Sequence, residues 1–364
     1  MQQAQAALQA KNLRTAAKEF GAVLVLDPRN VEAHINLGVI AFAQADYGNA
    51  AQHLRKALAV RPSIPQAQAL LGICEKRLGD SSAKSLLEDS FLKLTEKKLR
   101  TQVGMELIGL YHSQGDSEQA IPIVQKLVEL NPEDADILYV AQRLYRELAD
   151  NTLNKLAVVA PGSARMQQTI AQRLVNQGDL NGAIEHYRKA LAIDPNSPGM
   201  HYELGEAIFE AAPGDSGSQA EAEKELETAI AQDGDSSAIQ CELGKIALAR
   251  SELEKAEAHY TRAFSLDPQN SRAQLGMGQV LMNLNKAVEA KKYLEMAVKS
   301  DPLNEAAHYR LSLAYRRLQM PEQAKKEAHL FEEIKKTKQQ VEELYRQMNM
   351  KPQKSDEVVD SETQ

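Results

Sequence analysis

Prolines stand at 28 and 62, at 161 and 195, and at 268 and 302, each pair 34 residues apart. Most follow an acidic or amide residue: Asp27, Asn131, Asp194, Asp267 and Asp301 each precede one. A fixed period of this size marks a chain built by stacking one small supersecondary unit. In such a stack function sits on the surface of the array, not in a single catalytic pocket.

Numbering each unit so that its proline falls at place 32, the second unit starts at Val31. Places 8, 20 and 27 then hold small residues: Gly38, Ala50 and Ala57, later Gly244, Ala256 and Ala263, then Gly278, Ala290 and Ala297. Places 7 and 24 hold bulky ones, such as Leu37 with Leu54 and Leu243 with Tyr260. Spacings of three and four are helical, so each unit predicts two amphipathic helices, over places 1–14 and about 18–31. Gly or Ala at a shared seam lets two backbones approach closely, and a larger side chain there overpacks it. The proline ends the unit because it lacks a donor and restricts the residue before it. Gly79, Gly115 and Gly178 suit the turn between the two helices.

Quoted as they stand, HINLGVIAFAQADYGNAAQHLRKALAVRP (34–62) and HYRKALAIDP (186–195) resemble tetratricopeptide repeats, with that family's L-G core and A…A…P second helix. The family's place-4 tryptophan is missing throughout; His34, His201, His308, Gln68, Gln167, Gln240 and Gln274 stand there. Eight units are counted from residue 31 to about 336, with a partial one before them. The resemblance implies an all-α, right-handed superhelical solenoid of antiparallel helix pairs.

Composition fits that expectation. Aromatics make up 5% and tryptophan is absent, as suits helices packed by Ala, Leu and Gly. A net charge of −7 gives no global basic field for nucleic acid. No run approaches 18 consecutive apolar residues, so no membrane span is expected. Cys74 and Cys241 lie five units apart, too far for a bridge in a stack of neighbour-only contacts. Counting back from Pro28, the first unit lacks the start of its first helix, so the amino terminus looks cut. The compartment stays open: cytoplasmic by default, secreted or periplasmic if a leader was removed.

Along the chain, residues 1–28 are expected to form a partial repeat, 29–149 and 150–320 two half-arrays, 321–349 a capping helix and 350–364 a disordered tail. From Pro132 to Pro161 the spacing is five residues short, so ADILYVAQRLYRELADNTLNKLAVVAP forms either two shortened helices or one longer, kinked one. From Pro195 to the Asp-Gly pair at 233–234 it is five too long, with the surplus AAPGDSGSQ (211–219) expected as a surface loop. After Pro321 the last helix is expected to run to about Met348, with Phe331, Ile334, Val341, Leu344, Tyr345 and Met348 on one stripe. A coiled-coil homodimer through this helix is the rival to a cap, but Lys338 interrupts its seam.

Chemistry finds little support. Six of the eight histidines fall on two repeated places, His34, His201 and His308 at place 4 and His53, His186 and His259 at place 23. His112 and His329 have no ligand-spaced neighbour, so no metal or cofactor is expected. No phosphate-binding loop or nucleophile elbow is present, and the chain is not expected to be an enzyme.

The family resemblance implies a concave groove lined by first helices through places 2, 5, 9 and 12. Carried over residue by residue, the expected partner-binding set is Tyr139, Arg143, Arg165, Gln168, Gln172, Tyr202, Glu206, Lys245, Arg272, Gln279, Tyr309 and Arg316. Tyr and Arg combine contact area with hydrogen-bonding ends and are frequent binding anchors. Two specialised forms of the family are not matched. A carboxylate clamp would need Lys and Asn where Ile35 and Val39 stand, and only Asn36 fits a place-6 asparagine ladder. The expectation is a protein-binding scaffold that lays a partner's peptide or helix in its groove. The alternatives are a self-assembling module or the regulatory arm of a larger enzyme or assembly complex.

Overall fold

The structure is a computed structural model that describes residues 1–348; the tail expected to be disordered lies outside the described residues. The described residues are helical and contain no strand. They divide into two compact units, Met1–Lys155 and a second from Leu156 onward.

In the first unit successive helices pair as hairpins. These are α1 (Gln2–Gln9) with α2 (Leu13–Leu26), α3 (Val31–Ala43) with α4 (Tyr47–Val60), and α5 (Pro65–Leu78) with α6 (Ala83–Phe91). Then α7 (Lys97–Ser113) pairs with α8 (Ile121–Leu130), which is entered through a 3-10 turn at Ser117–Ala120. The short spacing after Pro132 resolves as one continuous helix, α9 (Ala135–Val159), and the division of the chain falls after its Lys155. The second unit pairs α10 (Ala164–Gln177) with α11 (Leu180–Ile193), α12 (Met200–Ala211) with α13 (Ser216–Asp233), and α14 (Ser237–Ala249) with α15 (Leu253–Leu266). It ends with α16 (Ser271–Asn283) on α17 (Ala287–Ser300) and α18 (Glu305–Arg317) on α19 (Pro321–Gln347).

The acid before each proline has a local task. Asp27, Asp194, Asp267 and Asp301 each accept, through Oδ1, the backbone N–H two residues on, at 3.2, 3.2, 2.9 and 3.2 Å. This is an Asx turn with proline at its second position. Asn30, Asn270 and Asn304 then cap the following helices by accepting backbone N–H groups, which satisfies donors the first turn leaves open. Between paired helices, Gly79, Gly115 and Gly178 take φ near +75° as expected. The equivalent turns elsewhere place Lys11, Ala45, Ser251, Asn285 and Gln319 at φ 56–60°, a region costly for residues with a Cβ.

The small place-8 residue faces the bulky place-24 residue of the same hairpin. A Cβ on Gly38, Gly244 or Gly278 would lie 2.5–2.8 Å from Leu54, Tyr260 or Leu294. These side chains are fully buried and form the floor of each stack.

One expectation is corrected. Residues 211–219 are not a loop: only 212–215 lie between helices, and Ser216–Gln219 form the first turn of an 18-residue α13. Asp215 caps that turn by accepting from the Ser218 N–H at 2.7 Å. Buried Gln219 donates to the Pro213 carbonyl at 2.7 Å and accepts from Arg250 at 3.2 Å. A capped start with a satisfied buried amide outweighs the poor helix propensity of the Ser-Gly-Ser run.

Candidate functional site

Polar residues at place 4, where tryptophan was missing, meet those at place 23 and stitch the two helices of a hairpin. His34 Nδ1 lies 3.0 Å from His53 Nδ1, His186 Nδ1 2.8 Å from Gln167, and His259 Nδ1 2.8 Å from Gln240. His201 and His308 reach Glu225 and Glu327 at 2.5 and 2.6 Å. The place-4 side chain also contacts the carbonyl of the preceding proline: His34 at 3.1 Å, Gln274 at 2.7 Å, His308 at 3.1 Å. A carbonyl only accepts, so neutral His34 carries its proton on Nε2 and takes the Nδ1–H of His53. Six of the eight histidines are thereby used in holding hairpins together.

In the second unit the first helices bring most of the expected binding residues into two polar networks. Glu203 accepts from Gln168 at 3.1 Å and Gln172 at 2.9 Å, and Arg165 donates to Gln168 at 2.6 Å. Next along the stack, Glu242 is 1% exposed, pairs with Lys245 at 2.7 Å, and lies 3.6 Å from Arg272, which also reaches Glu206 at 4.0 Å. Burial, followed by the nearby Glu242 and Glu210 charges, pushes the Glu206 carboxyl up to about 7 against the pull of Lys245 and Arg272. Half-buried Tyr202 packs on the core, and burial with the Glu206 and Glu242 charges pushes its hydroxyl up. Gln279 is half-buried. Arg165, Gln172 and Arg316 are exposed, while Tyr309 is 38% exposed with its ring 5.3 Å from Phe331 of α19. The cations Lys245 and Arg272 thus face carboxylates of their own chain.

The first unit differs. Tyr139 and Arg143 project from α9 one turn apart; Tyr139 is 61% exposed and Arg143 exposed. Neither makes a side-chain hydrogen bond or ion pair among the described residues. Arg143 borders a pocket of about 220 Å³ between α7 and α9, floored by Met105, Ile108, Val140 and Leu144. His112, Gly109 and Glu147 complete its rim. Glu147 is held at both oxygens, by Ser117 at 2.8 Å and His112 at 3.3 Å. The sequence signal for this pocket was Gly109, a place-9 residue without a side chain, which an inventory of groove side chains passes over.

Burial pushes the Cys74 thiol up to about 11 and that of Cys241 to about 12, so neither is an activated nucleophile. No helix among the described residues is long and apolar enough to cross a membrane.

Comparison with known proteins agrees with this hairpin architecture. Tetratricopeptide repeat family models match residues 1–67, 109–134, 214–271 and 247–312, and a TPR repeat model matches 171–211. The cellulose synthase 2 operon protein C of Komagataeibacter xylinus is 25% identical over 58% of this chain and 18% of its own length. The CTR9 homolog of Arabidopsis thaliana is 25% identical over 67% of this chain and 24% of its own length. The chain thus spans about a fifth to a quarter of the curated relatives it matches. Among solved structures, yeast Tom70 is 14% identical, with 95% of each chain covered and a TM-score of 0.46. The repeat models together match more than half of the chain, and the chain belongs to the tetratricopeptide repeat family of protein-interaction scaffolds.

Proposed function

We propose that the chain binds an extended peptide or a helix of a partner protein along its first helices, by multi-point contact and without a chemical step. The observation that carries this reading is the state of Tyr139 and Arg143: exposed, one turn apart, and without a side-chain hydrogen bond or ion pair among the described residues. Large amphipathic side chains left unpaired beside an apolar pocket are the usual anchors of a protein interface. Arg165, Gln172 and Arg316 are exposed in the second unit, the first two already within the Glu203 network. Gln168, Tyr202, Glu206, Lys245, Arg272, Gln279 and Tyr309 complete the proposed surface. Those already in the Glu203 and Glu242 networks position their neighbours and rank below the free anchors.

The test is binding of an identified partner by two double variants, Tyr139→Ala with Arg143→Ala, and Arg165→Ala with Tyr202→Ala. Loss of affinity with an unchanged helical circular dichroism spectrum supports the reading. Unchanged affinity in both removes it. Self-assembly is a second reading, favoured by the exposure of Val341 and Leu344 on α19 and of Met348 just after it, at 41, 58 and 64%. Light scattering on a Val341→Glu/Leu344→Glu variant distinguishes it.

A further inference from the structure

In the closed hairpins, places 4, 8 and 11 of the first helix face the second helix. In α18 these are His308, Ser312 and Tyr315, all buried, with the tyrosine 8% exposed. In α9, with Ala135 at place 1, they are Leu138, Gln142 and Tyr145. All three are exposed, the leucine at 42% and the tyrosine at 43%. The difference arises because this hairpin never closes. No glycine or proline stands between Ala135 and Ala160, the residues that would make the turn are missing, and α9 runs on as one helix.

The missing half is written further along the same helix. Counted back from Pro161 at place 32, Ala149 holds place 20 and Leu153 place 24, as Ala50 and Leu54 do in α4. Ala149 and Thr152 are exposed and continue the stripe of Leu138, Gln142 and Tyr145 at alternating spacings of four and three, which is the seam of a helix pair. A straight helix cannot lay its second half on its first, but a second copy can. With two α9 helices antiparallel, Gln142 of each faces Leu153 of the other, the same place-8 to place-24 match that Gly38 makes with Leu54. Tyr145 then falls on small Ala149. Arg146 comes beside Asp150 of the other copy, both exposed and opposite in charge.

We propose that two copies of the chain associate through antiparallel α9 helices, each supplying the second helix that the other's hairpin lacks. The stripe from Leu138 to Leu153 is about 24 Å long, and two of them bury an area at the small end of specific interfaces. The dimer is therefore weak, with a Kd of about 10–100 μM. It uses a face of α9 beside Tyr139 and Arg143, does not depend on groove binding, and is separate from the exposed stripe of α19.

The experiment is sedimentation velocity on the full chain from about 1 μM to about 1 mM, with disulfide trapping to fix the geometry. The parent passes from monomer to dimer over this range. Tyr145→Glu and Ala149→Glu, both at exposed positions, each weaken the dimer at least about tenfold with unchanged circular dichroism, because an unpaired carboxylate enters the seam. Val341→Glu with Leu344→Glu leaves the dimer intact. For trapping, one copy carries Tyr145→Cys and a second, differently tagged, carries Ala149→Cys; the native Cys74 and Cys241 are buried. Mixing the two gives the hetero-disulfide in excess over either homo-disulfide. The inference is overturned by a chain that stays monomeric to about 1 mM, by a dimer that both glutamate variants leave unchanged, or by one that only the α19 variant disperses. An excess of the homo-disulfide at position 145, which marks a parallel pair, overturns it as well. A monomeric chain whose seam variants instead lose an identified partner also overturns it and gives the seam to a foreign helix.

Discussion

Gly276 is the position where packing permits a quantitative test. A Cβ on it would lie within 2.5 Å of three atoms of the Tyr260 ring, which is 1% exposed. The ring cannot retreat, because a Cβ on Gly244, on its other edge, would already be 2.8 Å away. Overpacking of this kind costs about 1–3 kcal/mol, and with no room to relax the upper end applies. Alanine recovers about 1 kcal/mol of helix propensity, so Gly276→Ala should destabilise by about 2 kcal/mol. Tyr260→Leu supplies the residue that stands at this place as Leu54 and Leu294. In that background Gly276→Ala should be neutral or stabilising, a coupling of about 2 kcal/mol. The assay is urea unfolding followed by circular dichroism, with Gly21→Ala as control. A Cβ on Gly21, inside α2, meets nothing within 4 Å, so that variant should gain about 0.5–1 kcal/mol. Equal losses for Gly276→Ala in both backgrounds, or no loss in the parent, would refute the place-8 and place-6 packing argument.

Other expectations concern pH and turns. Glu206 has a carboxyl raised to about 7, so the folded chain holds its proton more tightly than the unfolded chain does. That contribution is present below about pH 4.5 and lost as pH rises through about 7. Glu206→Gln should therefore be the more stable protein at pH 8 and little different at pH 4, as read from urea midpoints. Burial, then the His34 and Lys56 charges, holds His53 below its ordinary 6.5. Its contribution is present above pH 6.5 and lost as pH falls toward the depressed folded value. His53→Gln, which keeps a donor for His34, should flatten that acid-side loss. Ala45 sits at φ +58° between α3 and α4, so Ala45→Gly should stabilise by about 0.5–1 kcal/mol in the same assay.

Much of the fold was legible because a repeated seam leaves repeated residues. Gly38 with Leu54 and the Asp-Pro steps identify hairpins before any coordinates. The extra residues after Ala211 were misread because Pro, Gly and Ser favour loops by local propensity; Asp215 and buried Gln219 turn them into a helical start. The partnering of places 4 and 23 was hidden because the two residues are 19 apart and vary in type, with His34 on His53 but Gln167 on His186. For the groove, the sequence named side chains but not their engagement. Arg272 and Lys245 looked like free cations until the fold set Glu242 between them. Arg143 looked no different, yet it makes no ion pair among the described residues.

The most direct measurement is photocross-linking to an identified partner from single positions on the two helix layers. A photoreactive residue at Tyr139, on a first helix, should form the partner adduct, and one at Lys189, on the second helix α11, should not. An adduct from position 189 with none from 139 would contradict binding along the first helices.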